Sequence, residues 1–178
     1  MRKAWIAALA LSVLAVGVLA GPAAAKPKDK HKPKAPKGNE HITITFDIAT
    51  NAPGTVQATG PISGSGTDTQ VSSKQHGRTT HDVDLLTFDA GTITVKDKSV
   101  VVSQSLDPST CTSTEHDKGV FKITKGTGAY EGAKGHGHFT VDVTATGTPD
   151  ANSPNGCDFS NPTGSAVVEA TGRVRLKS

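Results

Sequence analysis

The sequence predicts an all-β protein, a single eight-stranded antiparallel up-and-down barrel with one disulfide and a disordered basic N-terminal arm. Three observations carry that prediction. Beyond residue 25 the chain has only Leu85, Leu86, Leu106 and Leu176 as leucines, against a dense supply of Thr, Val, Ile and Gly. Leu and Ala favour helices, whereas β-branched residues suit the pleated, half-buried surface of a sheet. Nineteen glycines and ten prolines punctuate the chain, so no long helical pattern survives. Finally, apolar and polar residues alternate with period two in segment after segment, which is the signature of a strand buried on one face.

Taken in order, the chain begins with Met1-Arg2-Lys3, an apolar run from Ala4 to Leu19, and Ala23-Ala24-Ala25. A short basic start, an apolar stretch and a small-residue cleavage site make residues 1–25 a secretory signal peptide. No cysteine stands at the cleavage region, so a lipid anchor is not expected. No later segment approaches the roughly 20 apolar residues of a membrane-spanning helix, so no membrane span is expected. The mature chain reads as secreted or extracellular, and its length suits one domain.

Residues 26–38 (KPKDKHKPKAPKG) hold six Lys and one Asp. A Lys/Pro segment without large apolar residues cannot bury enough surface to fold, and an extended flexible arm is expected. It is a solubilising spacer, or a means for Lys26–Lys37 to hold the protein to an anionic cell-wall polymer. Residues 39–178, the barrel domain, carry eleven Lys or Arg and fifteen Asp or Glu. That acidic balance, with aromatics that do not interleave with basic residues, argues against nucleic acid as a partner.

The first strand starts near His41, with Ile42, Ile44, Phe46 and Ile48 on one face. Asn51-Ala52-Pro53-Gly54 turns the chain into a Gly-rich strand carrying Val56, Ala58 and Ile62, which Gly64-Ser65-Gly66 breaks or bends. A polar stretch, Ser72 to Arg78, leads to a strand over Thr79–Phe88. Asp89-Ala90-Gly91 turns into Thr92–Val95, Lys96-Asp97-Lys98 reads as a hairpin tip, and Ser99–Leu106 returns. Strands follow at Thr110–Thr124, His136–Thr146 and Ser165–Leu176, with Thr148–Thr163 a polar loop. Short strands at this spacing mean a sandwich or barrel, and eight staves leave room for packed side chains or one small ligand. Cys111 and Cys157 are the two cysteines of an exported chain and are expected to pair.

The segment Gly119 to Phe139 (GVFKITKGTGAYEGAKGHGHF) reads strand, Gly-Thr-Gly turn, aromatic, Gly-Ala-x-Gly, strand. Gly126 and Gly128 suit a tight connection, and Tyr130 is placed to plug a barrel end. This segment resembles one found in allene oxide cyclase-like and dirigent-like β-barrel proteins, including small exported bacterial ones. The resemblance implies a barrel that holds a reactive intermediate, with working carboxylates and arginines on cavity-lining strands and no cofactor. No motif carries those residues over position by position, and between Phe46 and Gly66 the chain offers only Asp47 as a carboxylate.

Candidate ligand-binding residues are Tyr130, His136, His138, Asp142, Arg173 and Arg175. His136 and His138 share one strand face with Thr140 and Asp142, while Phe139, Val141 and Val143 take the packed face. Two His without a third ligand fixed nearby do not define a metal site, so none is assigned. Arg173 and Arg175 share a face with Glu169, and an exterior ion-pair ladder is expected unless that face lines the cavity. Neighbouring His81-Asp82 and His116-Asp117 point to opposite faces and make no dyad. Asp150, Asn152, Asn155 and Asp158 have the composition of a calcium loop without its spacing, and turn formation accounts for them. The functional expectation is an exported barrel that binds a small apolar ligand or acts at the cell surface. Alternatives are a cofactor-free isomerase or cyclase, and a wall-associated interaction protein using its arm.

Overall fold

In the computed structural model, which describes residues 36–50 and 52–177, eight strands run antiparallel in chain order. They are β1 (Lys37–Asp47), β2 (Gly54–Thr59), β3 (Gly64–His76), β4 (Thr79–Phe88), β5 (Gly91–Asp107), β6 (Thr112–Gly126), β7 (Lys134–Pro149) and β8 (Cys157–Arg175). Pairing of β1 with β8, from Lys37 opposite Arg175 to Asp47 opposite Ser165, closes the barrel. Closure satisfies both backbone edges that an open sheet would leave exposed. The signal segment and most of the Lys/Pro segment lie outside the described residues. Lys37 and Gly38, read from sequence as the end of the arm, are the first residues of β1.

Four strands differ from the sequence reading. Gly64–Gly66 does not break the chain, and the polar stretch from Ser72 is the second half of β3. That half extends past the last β2 pairing at Asp68 and is exposed on both faces, so it carries no alternation to read. Conversely, Lys96-Asp97-Lys98 is no hairpin tip but the middle of the continuous β5, with both lysines outward and Asp97 inward. The loop read over Thr148–Thr163 shrinks to residues 150–156, because β7 and β8 continue into it.

Aromatic rings set beside glycines fill the interior. Phe139 lies over Gly119, Phe121 over Gly137 and Gly172, Phe88 over Gly66, and Phe46 over Gly54. A Cβ on Gly54 would come within 2.5 Å of Phe46, and one on Gly137 within 2.6 Å of Phe121. The fifth phenylalanine, Phe159, sits against Gly147. A narrow barrel admits few large side chains, so each ring needs a facing position with no side chain at all.

One end of the barrel is sealed. The turn Gly128–Tyr130 between β6 and β7 drops Tyr130 into it, 4% exposed, edge-on to Phe88 with ring centroids 5.7 Å apart. Ile62, Ile93 and Ile123 are wholly buried around it. Glu40 closes the same end from β1, its Oε2 accepting a hydrogen bond from the Ile62 N–H at 3.0 Å. The other carboxylate oxygen is buried without a partner, and burial pushes Glu40 up to about 7. At the opposite end the Cys111–Cys157 disulfide ties the approach to β6 to the first residue of β8, with Cα atoms 5.5 Å apart.

Candidate functional site

The end opposite Tyr130 is open. β2 is the shortest strand at 6 residues, so the wall is lowest at the β1–β2 hairpin while its neighbours run on. Beneath that rim lies a cavity of about 630 Å³ whose two sides differ in chemistry. Ile44 and Phe46 of β1, Phe139 and Val141 of β7 and Val168 of β8 make one side. Asp68 of β3, Asp82 and Asp84 of β4, Asp97 and Ser99 of β5 and Asp117 of β6 make the other. A volume of this size suits a small molecule, and a few polar groups against an apolar wall would fix its orientation.

The strand phase places the acids inside. Asp84 shares a face with Leu86 and Phe88, which are buried, and Asp97 with Ile93 and Val95. Register then stacks them: Asp82 stands directly across from Asp97, and Asp68 across from Leu86 with Asp84 one inward position further along β4. Asp68 is 4% exposed and its Oδ1 has no hydrogen-bond partner; Asp82 and Asp117 each leave one oxygen in the same condition.

Such crowding favours the neutral acids. Burial pushes Asp68 up to about 7, and the charges of Asp97 and Asp82 push it the same way. Burial also raises both Asp84 and Asp97, and their interaction with each other pushes Asp84 further up and draws Asp97 part of the way back. Asp117 is raised by burial, and His116 and Arg78 pull it back. Among the described residues, none that lines the cavity is a lysine, arginine or histidine. Arg78 bears by its charge on Asp117 and Glu115, and its Nη2 donates to the carbonyls of Val101 and Val102 at 2.7 and 3.2 Å. The acids form a wall and not a cage. Among the described residues, no three His, Cys, Asp or Glu side chains converge to hold a metal ion.

None of the six candidate ligand-binding residues read from the sequence lines this cavity, whereas Asp47, Asp82 and Asp117 do. Tyr130 is the plug of the far end. His136, His138, Asp142, Arg173 and Arg175 lie on the outer wall, because Phe139 and Val141 of β7 and Ala170 and Val174 of β8 take the inward phase. His136, Arg173 and Arg175 border a shallow outer groove with Lys37 and Lys134. Asp142 pairs across to His116 of β6, Oδ1 to Nδ1 at 2.7 Å. The expected ladder of Arg173 and Arg175 with Glu169 does not form: Glu169 pairs with His41 at 3.1 Å, while Arg173 stands between Asn39 and His136. Asp150 and Asp158 each cap the backbone N–H two residues on, at Asn152 and Ser160, as turn formers do.

The lumen acids escape a reading by composition and motif, although the sequence does carry a signal for them. Asp84-x-Leu86-x-Phe88, Ile93-x-Val95-x-Asp97 and Asp117-x-Gly119-x-Phe121-x-Ile123 each put an aspartate in phase with core residues. Compared with known proteins, the chain matches no family model, no curated protein and no solved structure.

Proposed function

We propose that this chain is an exported barrel that holds a small molecule in its open mouth. The signal-like N-terminus and the disulfide support export. The observation that carries the binding reading is the two-sided cavity at the open end of a barrel sealed at the other by Tyr130 and Glu40. The resemblance to allene oxide cyclase-like and dirigent-like barrels agrees with it and stays part of the proposal, as does adhesion of the Lys26–Lys37 segment to an anionic wall polymer. The ligand expected from sequence is apolar; the aspartates add a polar contact on one side of it.

The test uses the mature protein and the neutral dye N-phenyl-1-naphthylamine, whose fluorescence rises in apolar surroundings. The wild type should enhance its emission, and Val168→Trp, which fills the apolar side, should abolish the rise while far-UV circular dichroism stays unchanged. No enhancement by the wild type, together with no organic molecule retained in native mass spectrometry of protein from its own host, would sink the container reading.

A second reading has its own support. Asp84 and Asp97 both line the cavity and both are raised by burial, as suits a general acid and its partner. If the barrel is an isomerase or cyclase, an unsaturated fatty-acid epoxide is the substrate class that the resemblance implies. Its conversion should then be faster with wild type than with Asp84→Asn, and equal product profiles would remove this reading.

A further inference from the structure

Among the described residues, the lumen's acidic groups share the cavity with no lysine, arginine or histidine, and His116 and Arg78 bear by charge on Asp117 from outside it. Around Asp68, β2 presents Gly54 directly opposite, and β4 presents Asp84 and Asp82. β5 contributes Asp97, and β6 contributes Asp117 with Glu115 further out. From β1, β7 and β8 come only apolar side chains, apart from Asp47 at the rim. His81, which bears on Asp97 by charge, is exposed on the outer phase of β4. Arg78 is held to the β5 carbonyls. A buried carboxylate oxygen without a partner is costly, and Asp68 Oδ1 is one, on a residue that lines both the mouth cavity and a small void of about 50 Å³ beneath it.

Resting on the reading that the mouth holds a small molecule, we propose that its ligand is an organic ammonium ion, with its charged head among Asp68, Asp84 and Asp97 and its apolar body against Phe46, Phe139 and Val168. Three observations select this class. No cation lines the site, so a cationic head gives Asp68 Oδ1 a charge-assisted donor that a neutral or anionic ligand does not supply. The acids are spread along a wall and do not converge as metal ligands must at about 2.0–2.6 Å, whereas an ammonium donates to oxygens at about 2.7–3.2 Å in several directions. The facing wall is aliphatic and aromatic, which suits a hydrocarbon body and lets a ring face meet a cation. Without a cation at the site, burial favours the protonated acids, raising Asp68 to about 7 and raising Asp84 as well. Binding therefore exchanges protons for the ammonium, and those protons pass to the buffer.

Isothermal titration calorimetry with 2-phenylethylamine, protonated throughout pH 5.5–7.5, tests this against its neutral counterpart 2-phenylethanol. Release of one proton per cation gives about a tenfold gain in affinity per pH unit in the range where the site titrates. We expect the amine to bind at least about tenfold tighter at pH 7.5 than at pH 5.5 on that linkage. Its heat should differ between phosphate and Tris by the released protons. Asp68→Asn and, separately, Asp97→Asn should each weaken the amine far more than 2-phenylethanol, with unchanged far-UV circular dichroism showing that the variants are folded. If 2-phenylethanol binds as tightly as the amine, or amine affinity is flat with pH while the dye still binds, the mouth takes neutral ligands and this inference fails alone. If neither probe nor the dye binds the wild type, the container reading fails with it.

Discussion

Replacing Asp68 by Asn tests the electrostatics of the lumen without reference to any ligand. In the folded barrel Asp68 is raised from 3.8 to about 7, first by burial and then by Asp97 and Asp82. Between those values the native state holds a proton that the unfolded chain has released. Its contribution to stability is therefore complete below about pH 4 and disappears as the pH rises through 7. Each pH unit between the two values is worth 1.36 kcal/mol, so the loss between pH 5 and pH 8 is about 2.5 kcal/mol. Asn has the same shape and cannot ionise, so the stability of Asp68→Asn should fall less steeply over that range by about this amount. Removing the charge of Asp68 also lowers Asp84, which acts in the same direction. The assay is guanidinium unfolding at pH 5, 6, 7 and 8 with the disulfide intact, followed by far-UV circular dichroism because the barrel residues 39–178 contain no tryptophan. Wild-type and variant profiles that run parallel within about 0.5 kcal/mol would refute the placement of Asp68 as a buried, unpaired acid.

Other perturbations read other parts of the barrel. Gly54→Ala should cost about 1–3 kcal/mol, since its Cβ would meet Phe46 at 2.5 Å and Ile44 at 2.9 Å. Adding Phe46→Leu should restore much of that loss, and additive costs in a double-mutant cycle would count against the packing described. Removing the disulfide as Cys111→Ser/Cys157→Ser should lower stability by about 4 kcal/mol for a sequence separation of 46, measured by denaturant midpoint; a loss under about 1 kcal/mol would mean that the bridge restrains little. Glu40→Gln keeps an acceptor for the Ile62 N–H and removes an acid raised to about 7, so it should stabilise the protein at pH 8 but not at pH 5. Equal effects at both pH values would show that Glu40 is not a buried acid.

Alternation makes the barrel class legible, and does so best where one strand face is buried and the other wet. β1, with Ile42 and Ile44 in and His41 and Thr43 out, is the plain case. Legibility fails where both faces are solvated, as in β3 beyond Asp68, and where an inward charge sits between outward charges, as at Lys96-Asp97-Lys98. The same blindness hides the candidate site. An aspartate in a core phase contradicts the rule that finds the core, so Asp84 and Asp97 pass for surface residues, while His136 and Arg173 draw attention because they are conspicuous on a polar face. The pairing of Cys111 with Cys157 is legible because the chain offers no other partner.

The pairing of each phenylalanine with a glycine constrains how this lumen can change over evolutionary time. A ring cannot grow or move unless its glycine stays bare, and a glycine cannot gain a side chain unless its ring has already shrunk. Mutational paths between lumen shapes must therefore run in a fixed order, with the aromatic reduced first and the glycine filled second. Homologous barrels with differently shaped mouths should carry the exchange of Phe46 and Gly54, where only side chains crowd the glycine, as a linked pair and seldom as a single step.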